Sequence, residues 1–259
     1  MANYWQDRLA KAQDALTKKN EKQIEKQLRI YYGTAARQII ADFESVYNKL
    51  LAQKAEGKEV SPADLYKLES YWAMQGALRQ ELRKLGEKEI SLLTKYFEIN
   101  FFDIYYSINI EGKKAFNTIN AEGAKALINS IWCADGKSWS QRVWDDTDKL
   151  LETLNEQLLH CVVTGKKTTQ LKNLLQERFG VSYSRADTIV RTELAHVQTQ
   201  AAQQRYKDYN IQQVEILADA DERRCPECGK LHKTRYPINA SVPIPAHPRC
   251  RCCLVPVID

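Results

Sequence analysis

The amino-acid sequence predicts a mainly α protein, with a long helical N-terminal arm followed by an α+β C-terminal domain that carries a small sheet and a cysteine-rich knuckle. Apolar residues recur at steps of three and four along most of the chain up to residue 210, which is the period of an amphipathic helix. From residue 211 the period changes to two, as in a β-strand. Five of the seven cysteines follow between residues 225 and 253, so the last part of the chain is expected to be a small cross-linked or metal-bound module.

The composition is that of a folded protein with a modest charge. The chain has 259 residues, of which 44% are hydrophobic and 27% are charged. A net charge of +5 permits contact with nucleic acid without requiring it. The N-terminus has no apolar signal region, and the longest apolar run, residues 101–110, is too short to cross a bilayer. We therefore expect a cytosolic protein without membrane association, in which clustered cysteines bind metal more readily than they form disulfides.

Residues 1–109 are predicted to form the helical arm or bundle. Between Leu28 and Leu51 a stripe of apolar side chains at helical spacing marks the buried face of one long helix. The segment before it, residues 11–26, is polar on most faces. It is expected to be either an exposed helix or a helix that orders only against a partner.

Residues 56–59 interrupt this helix, and Ser61 restarts the pattern. Ser61 has the character of an N-cap, with proline at the first helical position and an acid three residues later. The new helix is expected to run to about residue 84, and a further helix is expected to cover residues 88–106.

Residues 110–210 are predicted to be the helical part of the C-terminal domain, which begins with a hinge. A helix is expected over residues 121–132, followed by a turn at Gly136. The next helix has an apolar face from Val143 to Val162 and is expected to end at Gly165.

A short helix over residues 168–179 is expected to end at Gly180, before the longest helix of this region. That helix carries the triplet Arg191-Thr192-Glu193. Its charged side chains either face a cleft or form a salt bridge with a neighbouring element. We favour the salt bridge as the commoner role of such a pair.

Residues 211–259 are predicted to form the small sheet and the knuckle. A β-prone run from Val214 to Ala218 leads to the first cysteine pair, and residues 252–257 form a final strand. We expect the two strands to pair, which places the cysteines at one end of the sheet.

The cysteine-rich tail has the spacing of a zinc site. Cys225 and Cys228 form a C-x-x-C pair, which a tight turn can bring onto one face of a zinc tetrahedron. A second pair comes either from His247 with Cys250 or from Cys250 with Cys252, because alternate residues of a strand point the same way. Four zinc ligands are therefore expected from these five residues, with disulfide formation as the alternative.

The same tail is basic, with seven Arg and Lys residues and four Asp and Glu residues from residue 221 onward. Arg223, Arg224, Arg249 and Arg251 flank the expected zinc ligands and could contact the phosphates of nucleic acid. An ordinary solvated surface explains the same charges, so DNA contact is a hypothesis at this point.

Motifs spread over nearly the whole chain combine into the pattern of one protein family. They are Tyr4-Trp5 with Arg8, Trp139-Ser140 with Arg142 and Trp144, the triplet Arg191-Thr192-Glu193, the run from Asp221 through Arg223 to Cys225 and Cys228, and the run from Pro245 through His247 and Pro248 to Cys250 and Cys252. Together they resemble the phage Mu F-like head morphogenesis, or minor capsid protein, family, including its members from phages of Gram-positive bacteria. Ala246 stands where the family pattern has a second proline, which is a small departure.

This resemblance implies a virion component that acts in procapsid assembly and, as a further expectation, in DNA packaging or ejection. It implies association with the portal protein in the capsid interior, after synthesis in the cytoplasm of the bacterial host. Scaffold protein, major capsid protein and double-stranded DNA are further partners that the resemblance suggests.

A zinc-stapled endonuclease or DNA-binding protein is the main competing interpretation. An endonuclease site needs a general-base histidine beside an acid or a second histidine that faces a divalent metal. His247 lies between Ala246 and Pro248, and His232 has no acid beside it. A closed four-ligand zinc site also leaves no position open for water. We therefore expect no catalytic residues and no enzymatic activity.

Overall fold

The computed structural model describes residues 2–56, 61–218 and 225–258, the side chains of residues 2–4 excepted. Its helices are α1 (Ala2–Ala55), α2 (Pro62–Tyr66), α3 (Glu69–Ser107), α4 (Ala121–Ile128), α5 (Trp139–Thr164), α6 (Thr168–Asp208) and α7 (Pro226–Leu231). Its strands are β1 (Gln213–Leu217), β2 (Arg235–Pro237) and β3 (Cys253–Pro256). These elements confirm the predicted fold class, a mainly α chain with a small C-terminal sheet. Within the described ranges, none of the helices combines the length and the apolar character that crossing a membrane requires.

The chain divides into two compact units. Unit 1 contains Met1–Glu25, Leu92–Trp139 and Thr188–Asp259. Unit 2 contains Lys26–Ser91 and Ser140–Asp187. Each unit therefore draws on segments that are distant in the sequence. The three domains predicted from the sequence, residues 1–109, 110–210 and 211–259, are instead continuous segments. This division into three domains stays a prediction.

The core of unit 2 is built on the apolar stripe of α1. Leu28, Ile39, Phe43 and Leu50 are buried, as their spacing predicted. Apolar side chains of α3, α5 and α6 are buried in the same unit, among them Leu78, Leu82, Leu154, Leu158, Leu171 and Leu175. Each such side chain contributes roughly 1.5–3 kcal/mol on burial, and this tertiary packing stabilises helices more than their intrinsic propensity does.

The polar N-terminal part of α1 is ordered against its own chain. Gln13 and Asn20 are buried in unit 1, with exposed fractions of 0% and 3%. The Gln13 amide donates to the Tyr206 hydroxyl over 3.1 Å, and the Asn20 amide donates to the Asn100 side-chain oxygen over 3.2 Å. Residues of α6 and α3 in unit 1 therefore supply the partner that this polar segment was expected to need.

The start of α2 follows the predicted capping pattern, but its end does not. The Asp64 carboxylate accepts hydrogen bonds from the backbone N–H and the hydroxyl of Ser61, at 3.0 and 2.7 Å. α2 then ends at Tyr66 and α3 begins at Glu69, so the prediction of one continuous helix is wrong. The interruption is stabilised by the Trp72 indole, whose N–H donates to the Tyr66 carbonyl over 2.9 Å.

α3 continues through Gly86, where the sequence predicted a break between two helices. A Cβ atom at position 86 would lie 2.7 Å from the Cζ3 atom of the Trp144 ring. The glycine is therefore explained by the close approach of α3 to this indole and not by a helix end. Sequence spacing alone does not distinguish the two causes.

α6 likewise continues through Gly180, so the predicted helix end at that residue is wrong. Phe179 and Ser182 on either side are buried, and their packing outweighs the roughly 1 kcal/mol that glycine costs inside a helix. Gly165 behaves as predicted, because its φ is +61° and α5 ends directly before it.

The C-terminal sheet has the strand order β2-β1-β3, with both pairings antiparallel. β1 pairs with β3 in a register that places Ile216 opposite Leu254, which confirms the expected strand pair. The sequence did not predict β2, because a three-residue strand that ends in proline carries almost no strand signal. α6 anchors the sheet, since the Tyr206 hydroxyl donates to the Leu254 carbonyl over 3.0 Å.

Candidate metal centre

The C-x-x-C pair lies at the start of the short helix α7. Cys225 is the N-cap, and Pro226 occupies the first helical position, where the missing N–H has no intrahelical partner to lose. The Cys225 sulfur accepts a hydrogen bond from the backbone N–H of Cys228 over 3.3 Å. This turn brings both sulfurs within 4.8 Å of each other.

The other half of the site is a turn from His247 to Cys250. The Cys250 N–H donates to the His247 carbonyl over 3.1 Å, so the two residues hold the ends of a β-turn. Pro248 occupies the second position, and Arg249 occupies the third with a φ of +61°. The Nδ1 atom of His247 lies 2.8 Å from the Pro248 carbonyl oxygen, which leaves Nε2 facing the sulfurs.

The five predicted ligands come together as two groups of three that share Cys228. Cys225, Cys228 and His247 form the first group, and Cys228, Cys250 and Cys252 form the second. The His247 Nε2 atom lies 3.2 Å from the Cys225 sulfur and 3.1 Å from the Cys228 sulfur. The Cys228 and Cys250 sulfurs are 3.7 Å apart. This cluster of thiols and one imidazole could hold a metal ion.

Hydrogen bonds within the cluster favour the thiolate form at two positions. The bond from the Cys228 backbone N–H lowers the pKa of Cys225. A hydrogen bond with Cys252 lowers the pKa of Cys250 to about 5, and the same bond raises the pKa of Cys252. Burial raises the pKa of Cys228 to about 12. Because metals bind thiolates, Cys225 and Cys250 are poised to bind, whereas Cys228 must lose a proton on binding.

The pKa of the His247 imidazole also depends on the charges of the cysteines in the cluster. Burial acts against its charged form, but the hydrogen bond to the Pro248 carbonyl and the charges at Cys250 and Cys225 outweigh that effect, so the pKa of His247 is raised. The sulfurs therefore stabilise a positive charge at Nε2. Either a bound proton or a metal cation can provide this charge.

The remaining cysteines do not extend the cluster. None of the seven cysteines, all of which lie in the described part of the chain, forms a disulfide. The Cys253 thiol donates to the Leu217 carbonyl over 3.7 Å, inside the sheet. Cys161 is buried in unit 2, as a small apolar side chain would be. Cys133 is only partly buried.

Of the four arginines that could contact DNA, the structure describes two, Arg249 and Arg251. Arg223 and Arg224 lie outside the described residues. Arg251 is exposed. Arg249 is exposed as well, but it is bonded to two threonines of α6 through its backbone N–H and its side chain.

The charged residues of the Arg191-Thr192-Glu193 triplet are engaged within unit 1. Arg191 forms a salt bridge of 2.7 Å with Glu21, which confirms the favoured interpretation. Glu193 is buried and accepts a hydrogen bond from the Trp132 indole over 3.0 Å. Both side chains therefore connect α6 to other elements of the unit.

A cavity of about 630 Å³ adjoins the metal cluster and is lined by residues of α6 and by residues 241–248. Its lining includes Trp132 and His196, whose rings stack with their centroids 4.7 Å apart. Burial lowers the pKa of His196 to about 4, so the ring is neutral at physiological pH. Sequence reasoning missed His196, because Leu194 and Val197 beside it mark an ordinary buried helix face.

Residues 152–255 match the protein family described as Phage Mu protein F like protein. The matched segment includes α6, β1, β2, all of β3 except Pro256, and all five residues of the metal cluster. It confirms the resemblance that the sequence motifs predicted, over this part of the chain. At the level of the family, the match supports a phage head morphogenesis protein. No curated protein and no solved structure matches the chain.

Proposed function

With the Mu F-like match over residues 152–255 as the premise, we propose that the protein is a minor capsid protein of a tailed phage and acts in head morphogenesis. In this proposal it associates with the portal protein in the capsid interior and acts in procapsid assembly, with DNA packaging or ejection as the later steps it serves. The family match carries the proposal, because it covers the metal cluster together with the helix and sheet that hold the cluster.

Capture by the portal tests this function. The full-length chain should bind the purified portal oligomer of the phage that encodes it, and it should not bind the portal oligomer of an unrelated phage. Equal binding to both portals, or binding to neither, would contradict a portal-associated role.

We propose that the metal is zinc and that Cys225, Cys228, His247 and Cys250 are its ligands. In a tetrahedral zinc site two sulfurs lie about 3.8 Å apart, and a sulfur and a nitrogen lie about 3.6 Å apart, from the usual bond lengths. The separation of 3.7 Å between Cys228 and Cys250 supports such a site, and the sulfur–nitrogen separations of 3.1 and 3.2 Å need only a small expansion. His247 is preferred to Cys252 because its Nδ1 faces a backbone carbonyl, and a metal-binding histidine usually has such a hydrogen-bond partner at the nitrogen that does not bind the metal.

Zinc acts as a structural staple in this proposal, and the protein is not an enzyme. β1, β2 and β3 are three to five residues long, so the sheet has little core of its own and gains from a cross-link. Four protein ligands leave no open position for water on the metal. His232 does not offer a free general base either, since its Nδ1 accepts a hydrogen bond from the Ala218 N–H over 3.2 Å.

Metal analysis of ligand variants tests the zinc site. The purified chain should contain about one zinc per molecule, since four of its donors form one tetrahedral site. Cys225→Ser and His247→Ala should lose the metal, whereas Cys252→Ser and the control Cys133→Ser should keep it. Loss of zinc in Cys252→Ser but not in His247→Ala would make Cys252 the fourth ligand. A wild-type chain that is fully folded without metal would end the zinc proposal.

DNA contact is a second candidate function, favoured by the charge of the described C-terminal tail. Residues 225–258 carry five exposed cations, Lys230, Lys233, Arg235, Arg249 and Arg251, and one acid, Glu227. If this surface binds double-stranded DNA, affinity should fall steeply with salt, and K230Q with R251Q should flatten that dependence. The pair K149Q and K172Q, on exposed positions of unit 2, is the matched control. Binding that does not respond to salt would contradict the idea.

A further inference from the structure

We propose that Thr192 is a positioning residue of the metal centre, an inference that rests on the proposed metal site. The Thr192 hydroxyl accepts a hydrogen bond from the Arg249 backbone N–H over 3.0 Å. The same hydroxyl donates to the Thr188 carbonyl over 2.7 Å, so its proton and its lone pair are both directed. Arg249 lies between His247 and Cys250, and a bond to its backbone therefore fixes the ligands on both sides of it.

The turn from His247 to Cys250 has an unfavourable backbone conformation at its third residue, Arg249, which contacts with the rest of the protein must stabilise. Proline at the second position and a positive φ at the third position define a type II turn, in which glycine is the preferred third residue. Arg249 occupies that position with a φ of +61°, a conformation that residues with a Cβ adopt only when their surroundings hold them. The bond to Thr192 is one such constraint.

The side chain of Arg249 supplies a second constraint on the same helix. Its Nε donates to the Thr188 hydroxyl over 3.2 Å. Thr188 and Thr192 are four residues apart, so both hydroxyls lie on one face of α6. An arginine at this position thus binds α6 through its backbone and its side chain, whereas glycine would satisfy the turn and lose the side-chain bond.

The segment that leads into the turn is held by α6 as well. The Gln203 amide donates to the carbonyls of Ile238 and Ala240, over 2.7 and 3.0 Å. Gln203 is buried, with an exposed fraction of 8%, which favours these bonds over competition from water. α6 therefore holds the second half of the metal site through two side chains, Gln203 and Thr192. Of these two, Thr192 is the one that bonds to the turn between the ligands His247 and Cys250.

Metal affinity of threonine variants tests the positioning role. Zinc affinity of the full-length chain is measured by competition with a chromophoric chelator for wild type, Thr192→Val and Thr192→Ser. Valine keeps the shape of threonine but cannot accept the Arg249 N–H, so we expect zinc affinity to fall at least about tenfold. Serine keeps the hydroxyl and should stay within about twofold of wild type. Thr192→Ala is a second variant with the same expected loss as valine.

The matched control is Thr199→Val, on the same helix. The Thr199 hydroxyl donates to the Ala195 carbonyl, and Thr199 lines the cavity, with no hydrogen bond to the turn among the described residues. It should keep wild-type zinc affinity, and all variants should keep the helical signal in circular dichroism. Wild-type affinity in Thr192→Val, or equal losses in Thr192→Val and Thr199→Val, would overturn the positioning role while the zinc site stands. A wild-type chain without zinc affinity would reject the zinc site itself and this inference with it.

Discussion

At the scale of single residues, Glu89 is a buried acid in the core of unit 2. It is 1% exposed and accepts a hydrogen bond from the Tyr32 hydroxyl over 3.0 Å. Its other oxygen, Oε1, has no hydrogen-bond partner in the part of the chain that the structure describes. Burial raises the pKa of Glu89 from its ordinary value of 4.5 to about 7. The neutral acid therefore fits the core better than the carboxylate does.

This residue should make stability depend on pH. Between pH 4.5 and about 7 the folded chain binds the Glu89 proton more tightly than the unfolded chain does, so stability falls as pH rises through this range. The difference between the two pKa values corresponds to about 3 kcal/mol in the free energy of unfolding, and this contribution is fully lost above pH 7. Glu89→Gln should remove the loss, so we expect it to be more stable than wild type at pH 8 and nearly equal at pH 5.

Urea unfolding at pH 5 and pH 8 measures the effect of Glu89→Gln. Glu152→Gln, an exposed position in unit 2, is the control and should leave the pH dependence as it is in wild type. The same pH dependence in Glu89→Gln and wild type would show that folding does not shift the pKa of Glu89.

Residues that act through local spacing could be predicted from the sequence, and those that act through tertiary contacts could not. Cys225, Cys228 and His247 were predicted from spacing, because metal-ligand motifs are short and depend on nearby turns. Glu89 and Thr192 carry no such signal. The first looks like any acid of an amphipathic helix, and the second depends on a loop that lies more than fifty residues away in sequence.

At the scale of elements, α3 contains two glycines that have different structural roles. A Cβ at Gly86 would lie 2.7 Å from the Trp144 ring, whereas a Cβ at Gly76 would meet nothing within 4 Å. The first glycine is required by packing. The second only lowers the helix propensity of α3.

Alanine substitutions at these two glycines should have opposite effects. Gly86→Ala forces the indole or the helix to move, and we expect it to destabilise the chain by about 1–3 kcal/mol. Gly76→Ala adds helix propensity at an exposed position and should stabilise it by about 0.5–1 kcal/mol. Chemical denaturation of both variants measures the difference. Equal effects of the two substitutions would contradict the packing explanation for Gly86.

Element types were predicted better than element bounds. The Ser61 capping pattern and the Gly165 helix end depend on neighbouring residues, and both are present. The breaks predicted near Gly86 and at Gly180 are wrong, because tertiary packing of the flanking side chains carries the helix across each glycine. β2 was missed because its pairing partner, and not its three residues, makes it a strand.

At the scale of the whole molecule, the segment that matches the family is not one compact unit. Residues 152–187 belong to unit 2, and residues 188–255 belong to unit 1. The sequence predicted the fold class correctly because it follows from periodicity and composition. The grouping into units depends on contacts between distant segments, such as those of Tyr206 with Gln13 and Leu254, which periodicity does not reveal.

A fragment limited to residues 152–255 should therefore not fold on its own. It lacks the parts of α1 and α3 that bury the apolar faces of α5 and α6 in the full chain. We expect the fragment to unfold without a cooperative transition in calorimetry, whereas the full-length chain shows one or more. A cooperative transition in the fragment, with zinc bound, would show that the matched segment is an autonomous domain.

The bond between Gln6 and Pro256 can form in unit 1 only after residue 256 has been made. The Gln6 amide donates to the Pro256 carbonyl over 3.1 Å, so this bond joins residues 250 positions apart in the chain. Unit 1 can be completed only after the ribosome has passed residue 256, while all of unit 2 has been made by residue 187. Because domains tend to fold as their residues emerge, unit 2 should close first. Until residue 206 has been made, Gln13 in the polar segment of α1 lacks its hydrogen-bond partner, the Tyr206 hydroxyl.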